Sequence, residues 1–234
     1  MYGKPVYSTT FKTEKHVSSK TLPIDPSLPV VISFDCGLTP AATFLQLGLD
    51  GRIRLLREAY AFDMGMKRFA LNHLRPIIKN FFPHNPLIFI GDPAGSRRAD
   101  SDESSAFKVL KDIFALDHAR VRPAATNDPK VRIQAGEQAL CQYPDGEPLF
   151  QIDPSCKWII EALRSKYRYA KIKATGDFAA TPDKTKHSHA AEALQYGLLF
   201  LLSGKYDPSD YVTYENFNPL DHTTTYRPAQ REGY

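Results

Sequence analysis

No stretch of this sequence is long and apolar enough to span a bilayer. The longest apolar stretch runs only from Tyr196 to Leu202, where about 20 residues are needed. The first twenty residues are polar, so no secretory leader is expected. Cysteine is scarce: Cys36, Cys141 and Cys156 are odd in number and far apart, with no CxxC and no zinc-ligand spacing. Reduced thiols in a cytosolic protein are the plain reading. A GxxxxGK[ST] phosphate loop is missing, and with it the main sequence mark of a nucleotide-driven motor. No two glycines are adjacent, and no segment repeats. Neither sign of charge dominates. The 30 Lys and Arg exceed the 26 Asp and Glu by enough to give +4 at pH 7, which permits an anionic partner without requiring one.

What is present is enough for one sizeable core: 234 residues, 42% hydrophobic and 24% charged, a balance typical of soluble globular proteins. The organising stretch is Val30 to Gly37. Val30 to Phe34 is β-branched and aromatic, with Pro29 before it, and reads as a buried strand. It ends abruptly on Asp35. A carboxylate is costly to bury without a cationic partner, and sites in open α/β sheets form at the carboxyl ends of strands.

Residues 1–29 read as an extended lead-in with an edge strand near Val6 and Tyr7. Strand-like runs at 42–49 and 52–61 flank Asp50-Gly51, a hairpin signal. The chain therefore opens as three antiparallel strands. Residues 65–82 carry apolar positions at helical spacing, with Pro76 inside the run expected to kink or divide the helix. Leu87 to Gly91 is a second apolar strand, again ending on an acid, Asp92. A helical crossover between two such strands makes them parallel. Helices are expected over 104–116, 128–140, with Asp128 as N-cap and Pro129 at N1, and from Cys156 to about Arg164, capped by Ser155. Short strands fall near 119–122 and 150–152. Arg164 to Lys173 alternates basic and aromatic residues as a hairpin arm, and a last helix covers 185–203. The core domain is expected over 30–204, with a loose tail over 205–234.

Strands lie about 4.8 Å apart, so Asp35 and Asp92, leaving neighbouring parallel strands, can flank divalent cations. His189 and Glu192 are three apart and share a helix face. Together they offer carboxylates and an imidazole, a donor set suited to Mg²⁺ or Mn²⁺, two ions in all. Each residue also has an ordinary role open to it. Asp35 and Asp92 would serve as turn or cap residues, Glu192 as a solvated acid and His189 as a polar histidine. Arg97 and Arg98, in a Gly-Ser loop after Asp92, and Arg164, Lys166, Arg168, Lys171 and Lys173, interleaved with Tyr167 and Tyr169, suit DNA phosphates and stacking. They suit a solvated hairpin equally. Lys184 and Lys186 stand at the start of the last helix, facing a scissile phosphate or simply solvent.

In order, Phe34 to Ala42, Gly91 to Gly95 and Ser188 to Tyr196 resemble the nuclease domain of a tailed-phage terminase large subunit. Gly3 to Tyr7 and Ala125 to Arg132 resemble it too. The resemblance implies an RNase H-like α/β fold: a mixed sheet of three antiparallel strands followed by parallel ones, with helices on both faces. It implies a metal-dependent endonuclease that cuts concatemeric double-stranded viral DNA during genome packaging. By that likeness Asp35, Asp92 and Glu192 correspond to the catalytic acids and His189 to a metal-side histidine. The third acid is usually aspartate, which makes Asp183 the fallback. Implied partners are double-stranded DNA, the terminase ATPase domain, the small terminase subunit and the capsid portal, with no membrane, in the cytoplasm of the infected bacterial host. Without the phosphate loop, the chain reads as the nuclease portion alone.

Two other readings stand beside this one. Asp35-x-Gly37-x-Thr39 fits the first phosphate loop of actin-like and sugar-kinase-like ATP sites, although the adjacent glycines of their adenosine loop are missing. A non-catalytic DNA-binding or portal-docking module is the other.

Overall fold

The computed structural model describes residues 3–96, 105–172, 174–204 and 206–211. In chain order its strands are β1 (Lys4–Pro5), β2 (Val30–Asp35), β3 (Ala41–Leu47), β4 (Ile53–Tyr60), β5 (Leu87–Gly91), β6 (Val121–Pro123), β7 (Phe150–Ile152), β8 (Arg168–Lys171) and β9 (Phe178–Pro182). Its helices are α1 (Thr13–His16), α2 (Met66–Phe69), α3 (Arg75–Phe81), α4 (Ala106–Phe114), α5 (Pro129–Cys141), α6 (Lys157–Glu161) and α7 (Lys186–Leu201).

The main sheet runs β6-β5-β2-β3-β4-β7. β2, β3 and β4 are antiparallel neighbours, whereas β5 lies parallel to β2, β6 to β5 and β7 to β4. This is the expected mixed sheet, and helices cover both faces. Alternation along β2 divides the core. Val31 packs with Leu45, Ile88 and Ile90 under α5, α6 and α7. Val30, Ile32 and Phe34 pack with Phe44 and Phe89 under α2, α3 and α4. Both faces being covered is why β2 and β5 read as unbroken apolar runs.

Two glycines permit close approach. A Cβ on Gly91 would lie 2.3 Å from the Phe34 ring, and one on Gly197 would lie 2.5 Å from Ser33 Oγ and 2.3 Å from Leu45 Cδ1. Gly197 thus lets α7 lie directly on β2 and β3, above the buried Ser33–Thr43 hydrogen bond of 2.6 Å.

Several local expectations are corrected. The edge strand expected near Val6 and Tyr7 is β1, which ends just before them. Both of those side chains are buried in the core, and β1 pairs with β8 in a separate antiparallel sheet, β1-β8-β9. The helix around Pro76 is not broken. A π turn, Ala70–Leu74, joins α2 to α3 and sends the Arg75 N–H back to Ala70 O. That wider turn accommodates the missing N–H and the ring of Pro76. Ser155 does not cap α6. Its hydroxyl donates to Asp153 Oδ1 at 2.6 Å, and Glu58 of β4 instead accepts the Trp158 and Ile159 N–H groups at 2.8 Å each. Arg164 and Lys166 lie in a π turn, Ala162–Lys166, that ends α6, and not in the hairpin. Tyr167 is buried, so it offers no surface for stacking. Among the described residues no helix is long and apolar enough to cross a membrane.

Candidate active site

Asp35 ends β2 on the face that alternation gives to Val31 and Ser33, the face covered by α7. The ladder keeps Phe34 opposite Gly91. The Asp92 N–H adds one more bond, donating to Phe34 O at 3.2 Å. The backbones of Asp35 and Asp92 are therefore held about one strand spacing apart, roughly 4.8 Å. Asp92 also opens a short 3-10 turn, Pro93–Ser96, and its Oδ1 accepts the Ala94 N–H at 2.9 Å. Its role as a turn residue and its place beside Asp35 are both realised.

α7 supplies the other side. Thr185 caps it with a capping box closed by Ser188, which fixes where the first turn begins. His189 then reaches Asp35, with Nδ1 2.6 Å from Oδ2. Burial pushes the Asp35 carboxyl up from its ordinary range; the His189 hydrogen bond opposes this, and the nearby Glu192 charge adds to it.

Glu192 is buried and fully engaged. Lys184 Nζ donates to both of its oxygens at 2.6 Å, and the buried Arg132 of α5 places Nη1 3.6 Å from Oε2. Arg132 also donates to Gln195 Oε1 at 3.1 Å, and Gln195 Nε2 donates to Tyr7 Oη at 2.9 Å. A polar relay thus joins Tyr7, Gln195, Arg132 and Glu192.

The acids share an electrostatic neighbourhood. The Tyr196 hydroxyl is pushed well up, chiefly by burial and further by the charges of Asp92, Asp35 and Glu192, with Arg132 opposing. The Cys36 thiol is pushed up to about 12 by burial, then by Asp35 and Asp92. That value makes Cys36 a poor nucleophile at neutral pH.

The structure brings Asp35, Asp92, His189 and Glu192 to one edge of the sheet. It does not gather them into a closed cage: among the described residues no three His, Cys, Asp or Glu side chains stand close enough to hold a metal ion. Glu192 is turned to Lys184, and His189 to Asp35. In chemistry the donors fit a hard divalent ion, and the cationic partners of Glu192 are the kind of charge such an ion would replace. Asp183 lies just before α7, where its N–H donates to Arg168 O at 2.8 Å. Its carboxylate has no hydrogen bond or ion pair with the acids' partners among the described residues. Arg164, Lys166, Lys171, Lys184 and Lys186 are exposed and Arg168 is half-buried. Arg97, Arg98 and Lys173 lie outside the described residues.

Arg132, Gln195, Tyr196 and Glu58 are not singled out by the sequence. The usable signal is an arginine on the α5 face that also carries Ile133, Ala139 and Leu140. A cation there needs an acid partner from elsewhere in the chain.

No protein-family model and no curated protein matches the sequence. Solved structures do match. The large terminase of a thermophilic bacteriophage is similar at a TM-score of 0.62 and 20% identity, over 86% of this chain and 46% of that one. This chain therefore spans about half the length of the thermophilic phage protein. The P22 large terminase nuclease domain is similar at a TM-score of 0.56 and 13% identity, over 84% of this chain and 91% of that one. The chain thus shares the fold of these terminase structures, including the P22 nuclease domain, with the mixed sheet expected from its sequence.

Proposed function

We propose that this chain is a metal-dependent DNA endonuclease, the nuclease portion of a terminase large subunit that cuts concatemeric double-stranded viral DNA during packaging. The observation that carries the reading is the pairing of Asp35 and Asp92 on adjacent parallel strand ends beneath a helix that contributes His189 and Glu192. Asp35, Asp92 and Glu192, with His189, would hold two Mg²⁺ or Mn²⁺ ions. Bound there, such ions lower the pKa of an attacking water and carry charge on the leaving 3′-oxygen.

The chain's own residues do the rest. His189 Nδ1 holds the Asp35 carboxylate in one orientation, since an ionised Asp35 can only accept from it. Arg132, itself bonded to Gln195, holds Glu192 from behind. Lys184 neutralises Glu192 from the solvent side, where its ammonium can pass to a phosphate oxygen when a strand arrives. Lys186, Arg164, Lys166 and Lys171 add exposed positive charge for the DNA backbone, as would Arg97, Arg98, Lys173 and the half-buried Arg168. Among the described residues no element suggests base-specific reading, so cutting would be weakly sequence-specific. The implied partners are an ATPase motor, a small terminase subunit and a capsid portal, in the host cytoplasm.

The test is plasmid nicking in Mn²⁺ by wild type and Asp35→Ala, with circular dichroism as a check on folding. Loss of nicking in a folded variant supports the reading, and equal activity sinks it. One observation favours a non-catalytic docking module instead: Lys184 already takes up the third acid. Salt-sensitive DNA binding with no cleavage in any divalent ion would decide for that.

A further inference from the structure

Beside the acids, in the same row of the sheet, stands a stack of rings that the cutting chemistry does not use. Asp35 is paired with Ala41, and Ala41 with Tyr60. Directly paired residues point to the same face, so Tyr60 shares the Asp35 face two strands away, roughly 10 Å along the edge. The Tyr60 ring stacks on Trp158 with centroids 4.2 Å apart, and Trp158 stacks on His187 at 4.1 Å. Phe62 sets its edge against both Tyr60 and Trp158 at 6.0 Å.

Packing alone accounts for the inner rings. It does not account for the outer two, because Tyr60 is 37% exposed and Phe62 46% exposed. Adjacent exposed rings of this kind are available for contact with a partner. Three lysines stand beside the rings. Lys186 Nζ lies 5.2 Å from the Trp158 ring centroid, the charges of Lys186 and Lys166 both reach His187, and Lys157 is exposed at the start of α6. Three acids share this rim: Glu161, 3.4 Å from His187 Nε2, Glu58, which accepts the Trp158 N–H at 2.8 Å, and the exposed Asp63 next to Phe62.

Rings open to solvent and lysines within reach of them are the two components of a single-strand nucleic-acid surface: aromatic faces for bases and positive charge for the backbone. A closed duplex offers its base faces only at its ends. We propose that Tyr60 and Phe62 form a stacking subsite for unpaired bases of a DNA strand whose backbone lies at the acids. The inference rests on the nuclease reading and deepens it: the strand would be taken locally opened, one strand at a time.

The test needs no cleavage and is run on the full chain in EDTA. A fluorescein-labelled dT oligonucleotide of about 12 residues and a duplex of equal length are titrated at low salt and followed by anisotropy. Trp158 is the single tryptophan and sits inside the stack, so its emission reports occupancy. The single strand should bind tighter than the duplex and quench Trp158. Phe62→Ala and Tyr60→Ala should each weaken single-strand binding at least about fivefold. Leu49→Ala, which removes an exposed apolar side chain from the β3–β4 hairpin, should stay within twofold of wild type. Phe62 lies in a loop, so its variant decides should Tyr60→Ala melt. Equal affinity for both DNA forms, binding without quenching, or Phe62→Ala within twofold of wild type would each overturn the subsite. Failure of plasmid nicking with these results intact would remove the nuclease reading and leave a strand-binding surface.

Discussion

Replacing Lys184 by alanine separates the two roles of positive charge at Glu192. Lys184 Nζ donates to both carboxylate oxygens at 2.6 Å. The lysine side chain is 67% exposed, whereas that of Glu192 is only 7% exposed. Hydrogen bonds to charged groups contribute about 1.5–3 kcal/mol, and solvent-exposed pairs about 0.2–1 kcal/mol. With one partner in water and the other buried, about 1–2 kcal/mol lies between these limits. In a domain of this size each kcal/mol moves Tm by about 2–4 °C, so Lys184→Ala should melt about 2–8 °C lower in EDTA. Adding Mn²⁺ should reverse the order of effects. In wild type an incoming ion must displace the ammonium, so apparent affinity is reduced by the same 1–2 kcal/mol, about 5–30-fold. The variant has nothing to displace, and its Tm should rise more than that of wild type at every sub-saturating Mn²⁺ concentration. Calorimetry or circular dichroism reads both. An unchanged Tm in EDTA would show that the pair stabilises nothing. An equal Mn²⁺ response in the two proteins would show that Lys184 and the ion do not compete for Glu192.

Burial pushes the Glu58 carboxyl up from 4.5 to about 7, against its hydrogen bonds from Trp158 and Ile159. The folded chain then keeps a proton that the unfolded chain has released, so Glu58 makes stability fall as pH rises from about 4.5 to 7. Urea denaturation across that range should show the fall, and Glu58→Gln should flatten it; an unaltered slope would refute the assignment. Gly197→Ala would press a methyl group onto Ser33 Oγ and Leu45. It should cost about 1–3 kcal/mol, read as a lower urea midpoint at constant m.

Asp35 and Asp92 are visible in the sequence because of what precedes them. β2 and β5 are buried on both faces, so they appear as apolar runs, and an acid at the end of such a run stands out. The Asp128 cap and Pro129 are equally legible, because a cap acts within three residues of itself: Asp128 Oδ1 accepts the Lys130 N–H at 2.9 Å. Long-range partners are not legible. Ser155 has the composition of a cap, but Asp153 takes its hydroxyl, and Glu58 reaches α6 from about a hundred residues away. Arg132 looks solvated beside Lys130 and Gln134 until α7 places Glu192 against it. The basic arm is a hairpin strand over Arg168–Lys171, paired with β9 as expected, but its first half misleads for a related reason. Its alternation of charge and aromatic side chains matches a strand, yet Tyr167 fills the core against Tyr7, and the chain is still in a helical turn at Lys166.

The relay from Tyr7 through Gln195 and Arg132 to Glu192 governs how far this polypeptide can be shortened. Cutting it back past Phe11 would take away more than a peripheral strand. It would leave the Gln195 amide without its phenol oxygen and open a hole where an aromatic ring had filled the interior. The damage would then be felt at a carboxylate far downstream, so the acidic site depends on Tyr7, well ahead of the strand on which Asp35 sits.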